Sequence, residues 1–342
     1  MRWFAFLLAA MAGPALADVG YTTIPAHDDV GTITVFYPSS SAAQPARRGA
    51  FLMPLAEQGQ PERGNGRLVV ISHGSGGSPW VHTDLARTLV AAGFVVAMPA
   101  HKGDNYRDDG HPGPDSWTLR PAEVSTAIDE VQRDPRFGPL LDVSKVGMYG
   151  MSAGGHTALS MAGGRWSPAR FKQHCEAHLA EDFQLCVGLA TRLTGGMLDG
   201  LKKWLALSII RRRFDDHRER EHHDSRIAAV VAGVPAAADF DMDSLKTPPV
   251  PLALVTAGQD RWLIPRFHSE RVLAACQGCI HLADLPSAGH GALLSPLPPG
   301  LTGLVGDMLN DPPGFDRHQL AAVDQTITAF FVQHLTLVGP VK

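Results

Sequence analysis

The chain is short of several things that would define a class. Beyond its first residues it has no apolar run near the roughly 20 residues a helix needs to cross a bilayer, which excludes a helix-spanning membrane protein. It has no excess charge of one sign: 30 Lys and Arg stand against 34 Asp and Glu, a net charge of −4. Nothing in that balance calls for a nucleic-acid partner. Internal repeats are missing, and the one low-complexity stretch is the polar segment Ser39 to Pro45. Cysteine is scarce, at four residues.

The start of the chain carries a targeting pattern. Arg2 precedes the apolar run Trp3 to Ala12, and Ala15-Leu16-Ala17 gives the small-x-small site that a signal peptidase cuts. Residues 1–17 are therefore expected to be a signal peptide, the mature chain beginning at Asp18 and being periplasmic or secreted. No cysteine follows the cut for lipid attachment, so no stable membrane anchor is expected. Residues 18–342 are enough to bury about three quarters of the unfolded surface in one domain. In an exported chain, Cys175, Cys186, Cys276 and Cys279 imply two disulfides. Three connectivities are possible, and local pairing closes the smallest loops. A redox role for Cys276-Gln-Gly-Cys279 would need the first cysteine at a helix N-terminus, whereas it follows Arg271-Val-Leu-Ala-Ala, the end of an apparent helix.

From Arg67 onward, short valine-rich runs alternate with amphipathic segments, as in a parallel sheet covered by helices on both faces. Strands are expected at Leu68–Ile71, Phe94–Met98, Lys145–Tyr149, Ile227–Val231, Pro251–Thr256 and Ile280–Leu285. Val81, Leu85, Leu89 and Ala92 mark a helix stopped by Gly93. Val124, Ile128 and Val131 mark a second, with Pro121 in its first turn. A final helix spans about Asp316 to Leu335. Residues 31–37 alternate like an antiparallel edge strand. Residues 165–225 interrupt the rhythm and are expected to form a helical cap over the active site. Leu198, Leu201, Trp204, Leu205 and Ile209 would form its apolar face, or simply pack on the main domain. The mixed charges from Arg211 to Arg226 nearly cancel and read as a solvated surface.

The chemistry centres on Gly150-Met151-Ser152-Ala153-Gly154, directly after a strand and before the small-residue helix Gly155 to Ala162. A nucleophile elbow requires that context, because its strand-to-helix turn is tight enough to need flanking glycines. A serine hydroxyl needs a base, and the base needs an orienting acid. His290, in Ser287-Ala-Gly-His290-Gly, and Asp260, in Thr256-Ala-Gly-Gln-Asp260, each follow a late strand; Asp239 and Asp241, after the preceding strand, compete for the acid role. Ser72-His73-Gly74-Ser75-Gly76-Gly77 occupies the place of the second oxyanion loop, which assigns the N–H groups of Ser75 and Ala153 as donors. His73, His101 and His156 are expected to brace these loops.

The segments Val69 to Gly77, Leu89 to His101 and Gly150 to Gly155 together resemble the bacterial exported hydrolases described as dienelactone-hydrolase-like and related to platelet-activating-factor acetylhydrolases. Tyr37-Pro38, Gln259-Asp260 and Gly289-His290 extend the resemblance over nearly the whole mature chain. It implies an α/β-hydrolase that cleaves small-molecule esters without a metal or organic cofactor. Two departures bear on substrate: dienelactone hydrolases proper use a cysteine where this chain has Ser152, and the acetylhydrolases take their acid where it has Gly233-Val234-Pro235. The expected activity is a carboxylesterase with Ser152, His290 and Asp260. An amidase or peptidase on the same triad, and a non-catalytic binding protein on this scaffold, are the alternatives. Neither the natural ester nor the oligomeric state is legible.

Overall fold

The computed structural model describes residues 17–25 and 30–336, so the expected leader, apart from Ala17, lies outside the described residues. The strands are β1 (Asp18–Ile24), β2 (Ile33–Ser39), β3 (Gln44–Arg48), β4 (Phe51–Glu57), β5 (Leu68–Ser72), β6 (Val95–Pro99), β7 (Val146–Met151), β8 (Arg165–Trp166), β9 (Ile227–Gly233), β10 (Phe240–Asp241), β11 (Leu252–Ala257) and β12 (Ile280–Leu285). The helices are α1 (Thr83–Ala91), α2 (Pro114–Arg133), α3 (Ala153–Met161), α4 (Pro168–His178), α5 (Phe183–Val187), α6 (Asp199–Arg213), α7 (Ser269–Ala275), α8 (Gly303–Leu309) and α9 (Leu320–Phe331).

Ten strands form one sheet in the order β12-β11-β9-β7-β5-β6-β2-β1-β4-β3, and β8 pairs with β10 outside it. The run from β12 to β6 is parallel throughout. Parallel strands joined by crossover helices are buried on both faces, which is why they read as continuous apolar runs. Their side chains alternate between two cores. On one face Leu68, Val70, Val146 and Met148 pack with Val124, Ile128 and Val131 of α2. On the other, Val69, Ile71, Tyr149 and Met151 pack with Leu85 and Leu89 of α1 and Phe330 of α9. All four members of each strand set are essentially inaccessible, and each such side chain contributes about 1.5–3 kcal/mol relative to exposure.

Two expectations are corrected, and one open choice is decided. The strand at 31–37 is β2, and it is not an edge: it pairs antiparallel with both β6 and β1. Beyond it the sheet adds β1, β4 and β3. The second helix begins seven residues earlier than Pro121 suggests, with Pro114 in its first turn and Pro121 inside it. Residues 165–225 contain β8, α4, α5 and α6. Here Trp166, Phe171, Cys175, Phe183 and Ile210 join the main core, while Leu198, Leu201, Trp204, Leu205 and Ile209 point to solvent rather than onto the domain.

The four cysteines form local bridges, Cys175–Cys186 and Cys276–Cys279. The first ties α4 to α5. Beside it Asp182 receives hydrogen bonds from His174, at 2.7 Å, and His268, at 3.0 Å, and the His268 ring in turn accepts the Ala237 N–H at 2.9 Å. A buried carboxylate thus links this segment to the loop after β9.

Candidate active site

Strand β7 delivers Ser152 in a turn that most sequences could not make. Ser152 has φ +59°, in the left-handed region that costs a non-glycine residue about 1 kcal/mol or more. A Cβ on Gly150 would lie 1.8 Å from the Gly154 carbonyl oxygen, and one on Gly154 would lie 1.9 Å from that of Ser72. Only glycine permits those approaches. The turn is held from the far side, since Ser152 N–H donates to Gly233 O at 3.1 Å and Ala236 N–H donates to Ser152 O at 3.1 Å. Val234 between them has φ +35°, a conformation rare for a β-branched side chain. The Gly233-Val234-Pro235 segment therefore supports the elbow.

Ser152 Oγ lies 2.9 Å from His290 Nε2, and His290 Nδ1 lies 2.7 Å from Asp260 Oδ2. Asp260 follows β11 and His290 follows β12, adjacent parallel strands whose carboxyl ends face the same edge as the elbow. The other oxygen of Asp260 accepts the N–H groups of Trp262, at 2.8 Å, and Leu263, at 2.9 Å. Both carboxylate oxygens are thus committed, which fixes the plane of the group and the orientation of the imidazole. His290 and Asp260 are buried, whereas Ser152 is partly exposed.

The competing acids lie elsewhere. Asp239 is 3.1 Å from His156 Nε2, and that ring stacks on Trp117 with centroids 4.4 Å apart. Asp241 pairs with Arg165 at 3.0 Å. Neither bonds to His290, whose ring nitrogens face Asp260 and Ser152.

The loop after β5 passes close to the elbow, for a Cβ on Gly74 would be 3.3 Å from Ser152 Cβ. Among the described residues the N–H groups of Ser75 and Ala153 have no acceptor. What shapes this loop is a buried polar network. Asp104 accepts Ser75 Oγ–H at 2.6 Å and Gly76 N–H at 2.8 Å through one oxygen, and Arg120 at 2.8 Å through the other. Arg120 also donates to His73 O at 2.6 Å and from Nε to Ser116 at 2.8 Å. Burial alone would raise the Asp104 carboxyl, but the Arg120 guanidinium and these donors hold it below the usual carboxylate range.

His73 donates through Nδ1 to Gly74 O at 2.7 Å, with Nε2 facing the His101 N–H. His101 bridges Ser72 and Glu123. Burial keeps both histidines well below the usual histidine range, so they brace the loop as neutral rings. Asp104 and Arg120 went unremarked in the sequence, although one signal was there. Trp117, Arg120, Val124, Ala127 and Val131 share one helical face, and a cation on an apolar stripe marks a buried pair.

A cavity of about 320 Å³ opens beside His290, lined by Gln259, Trp262, Gly289, Asp307 and Pro312 among others. Among the described residues no cluster of three or more His, Cys, Asp or Glu side chains is placed to hold a metal ion. No helix among them is long and apolar enough to cross a membrane.

The mostly parallel sheet, the helices on both faces and a serine turn at the end of a central strand define the α/β-hydrolase fold. Among solved structures the chain is similar to a ferulic acid esterase from Streptomyces cinnamoneus. The two share 17% identity with a TM-score of 0.58, over 97% of this chain and 94% of that one. At this identity the likeness shows the fold. No family model matches the chain, and neither does any curated protein.

Proposed function

We propose that this chain is an exported serine hydrolase that cleaves carboxylic esters through an acyl-enzyme. The observation that carries the reading is the continuous hydrogen-bonded line from Ser152 Oγ through His290 to Asp260, at 2.9 and 2.7 Å, on a positive-φ elbow. Ser152 Oγ attacks the acyl carbon while His290 Nε2 takes its proton. Asp260 holds the Nδ1–H tautomer and stabilises the imidazolium that forms. The N–H groups of Ser75 and Ala153 face the developing oxyanion, where one donor is worth roughly 3 kcal/mol. His290 then protonates the leaving alkoxide, and water, deprotonated by the same ring, releases the acid.

Ester rather than amide cleavage is supported by the esterase that shares the fold. Export is supported by the pattern in residues 1–17 and by the two disulfides. A fluorophosphonate probe should label Ser152 in the folded protein, mapped by peptide mass spectrometry, and p-nitrophenyl esters should be turned over faster than the matching anilides. Absence of labelling would overturn the serine-hydrolase reading, and faster anilide cleavage would make the protein an amidase.

A further inference from the structure

Twelve large hydrophobic side chains are exposed among the described residues, and seven of them lie between Leu189 and Ile209. Six of those form one surface: Met197, Leu198, Leu201, Trp204, Leu205 and Ile209. Leu201, Leu205 and Ile209 follow one another at i+4 spacing on α6, with Trp204 on the flank and Met197 and Leu198 at the entry to the helix. Trp204 is 65% exposed and Leu201 59%. The opposite side of α6 is what packs on the domain, through Ile210 with Ala206 and Leu207. The exposed stripe is therefore not needed to hold the helix in place. Scattered surface hydrophobes need no explanation, but a contiguous apolar stripe with a tryptophan on it does.

The charge on the same helix indicates what covers that stripe. In a chain of net charge −4, α6 carries Lys202, Lys203, Arg211, Arg212 and Arg213 against one acid, Asp199. By helical spacing Arg212 continues the apolar stripe, one turn beyond Ser208 and two beyond Leu205. It is exposed and has no carboxylate partner among the described residues. Arg211 and Arg213, on either side of it, pair with Glu176 and Asp115. Both pairs are exposed, and such pairs contribute little in water, so a phosphate can take their place. An apolar stripe with a tryptophan, bordered by arginines, has the composition of a helix lying in a lipid interface.

We propose that the outward face of α6 docks this protein reversibly on an anionic lipid bilayer. The apolar side chains enter the headgroup boundary, and Arg211, Arg212 and Arg213 meet lipid phosphates. The docked face adjoins the cavity beside His290: Lys202 Nζ donates to Arg192 O at 2.7 Å, and Arg192 pairs with Asp307 of the cavity wall. Resting on the function proposed above, this orientation would bring esters dissolved in the membrane to the cavity mouth.

The test reads binding without turnover, so it stands whether or not the hydrolase reading does. The mature protein carrying Ser152→Ala is floated with phosphatidylcholine vesicles, with and without an equal share of phosphatidylglycerol. Flotation is expected with the anionic vesicles and should weaken as salt rises. The pair Leu201→Ser and Leu205→Ser, and separately Arg212→Glu, should each lower the bound fraction roughly tenfold or more, with unchanged circular dichroism and, in the Ser152 background, unchanged hydrolysis of a soluble p-nitrophenyl ester. The proposal is overturned if the protein stays unbound, if the variants float like the parent, or if pure phosphatidylcholine binds equally well. It is also overturned if the stripe proves to hold two copies together, seen as a dimer that the Leu201/Leu205 pair dissociates.

Discussion

Replacing Asp260 by asparagine isolates the role of the orienting acid, because the structure dictates how the new amide must sit. Asp260 Oδ1 accepts two buried N–H groups, from Trp262 and Leu263, and Oδ2 faces His290 Nδ1. An amide has one oxygen. If that oxygen keeps the two backbone donors, the NH2 group points at His290 Nδ1, which must then be the unprotonated nitrogen. The proton moves to Nε2, and the ring can no longer accept the Ser152 proton. If the amide flips, two buried N–H groups face an NH2 group, each at a cost of about 1–3 kcal/mol. The first arrangement wins, and it is the inactive one. A fall in kcat on the order of 10⁴ is expected, near 5 kcal/mol of transition-state stabilisation, with the circular dichroism spectrum unchanged. Steady-state hydrolysis of p-nitrophenyl acetate by Asp260→Asn and Asp239→Asn, each beside its melting curve, provides the assay. Asp239 serves His156, so its substitution should show in the melt more than in the rate. Activity of Asp260→Asn within tenfold of the parent, or a collapse of kcat confined to a well-folded Asp239→Asn, would refute the assignment.

Arg120→Met should leave Asp104 buried without its counter-charge, costing about 3–5 kcal/mol in chemical unfolding; in the folded fraction kcat should fall more than KM rises, because the loop carrying Ser75 loses its brace, and adding Asp104→Asn should recover part of the stability. Opening the Cys175–Cys186 bridge by Cys175→Ala with Cys186→Ala should cost about 3 kcal/mol by chain entropy, and opening Cys276–Cys279, which closes a much shorter loop, about 1.5 kcal/mol; equal urea midpoints for the two double variants would contradict that ordering. Burial, reinforced by the nearby Asp84, pushes the Asp324 carboxyl up to about 7. The native state then holds a proton that the unfolded chain releases near pH 4, so stability should fall as pH rises from about 4 to about 7, and Asp324→Asn should flatten that slope in urea titrations at pH 5 and pH 8.

The parallel half of the fold was legible because its strands are buried on both faces and announce themselves as unbroken apolar runs. Of the antiparallel half only β2 was, and the residues of the other three strands show why. The inward positions of β1 are Gly20, Thr22 and Ile24, with Gly20 required because a Cβ there would lie 2.2 Å from the Tyr37 ring. The one buried residue of β3 is Ala46. Strand β4 contains Pro54, which in a sequence argues against a strand and is tolerated here because β3 and β4 close the end of the sheet. In β1 and β3 the buried positions are mostly small or polar, and in β4 the buried Met53 and Leu55 are separated by Pro54 and preceded by the exposed Leu52, so no clean hydrophobic period marks that end. The α6 stripe was left open for the opposite reason. It has the spacing of a core face, and spacing alone cannot tell a face that is covered within the chain from one that is left open.

The site shows the same limit at finer scale. The elbow was readable from five residues because its constraint is local: the approaches at Gly150 and Gly154 admit no side chain. The acid was a choice because its constraint is not local. This chain buries several His–carboxylate pairs, His290 with Asp260, His156 with Asp239, His101 with Glu123 and His174 with Asp182, and each satisfies the requirement that a carboxylate orient an imidazole. What separates them is the partner on the other ring nitrogen. For His156 Nδ1 there is none. For His101 it is Ser72, in an inaccessible position beneath the oxyanion loop. For His290 alone among these four pairs it is a serine that solvent can reach, on a turn strained enough to hold the hydroxyl out of the core. A histidine becomes a candidate base through what its second nitrogen faces, and that is set by the side-by-side order of β7, β9, β11 and β12 in the sheet rather than by any sequence neighbour.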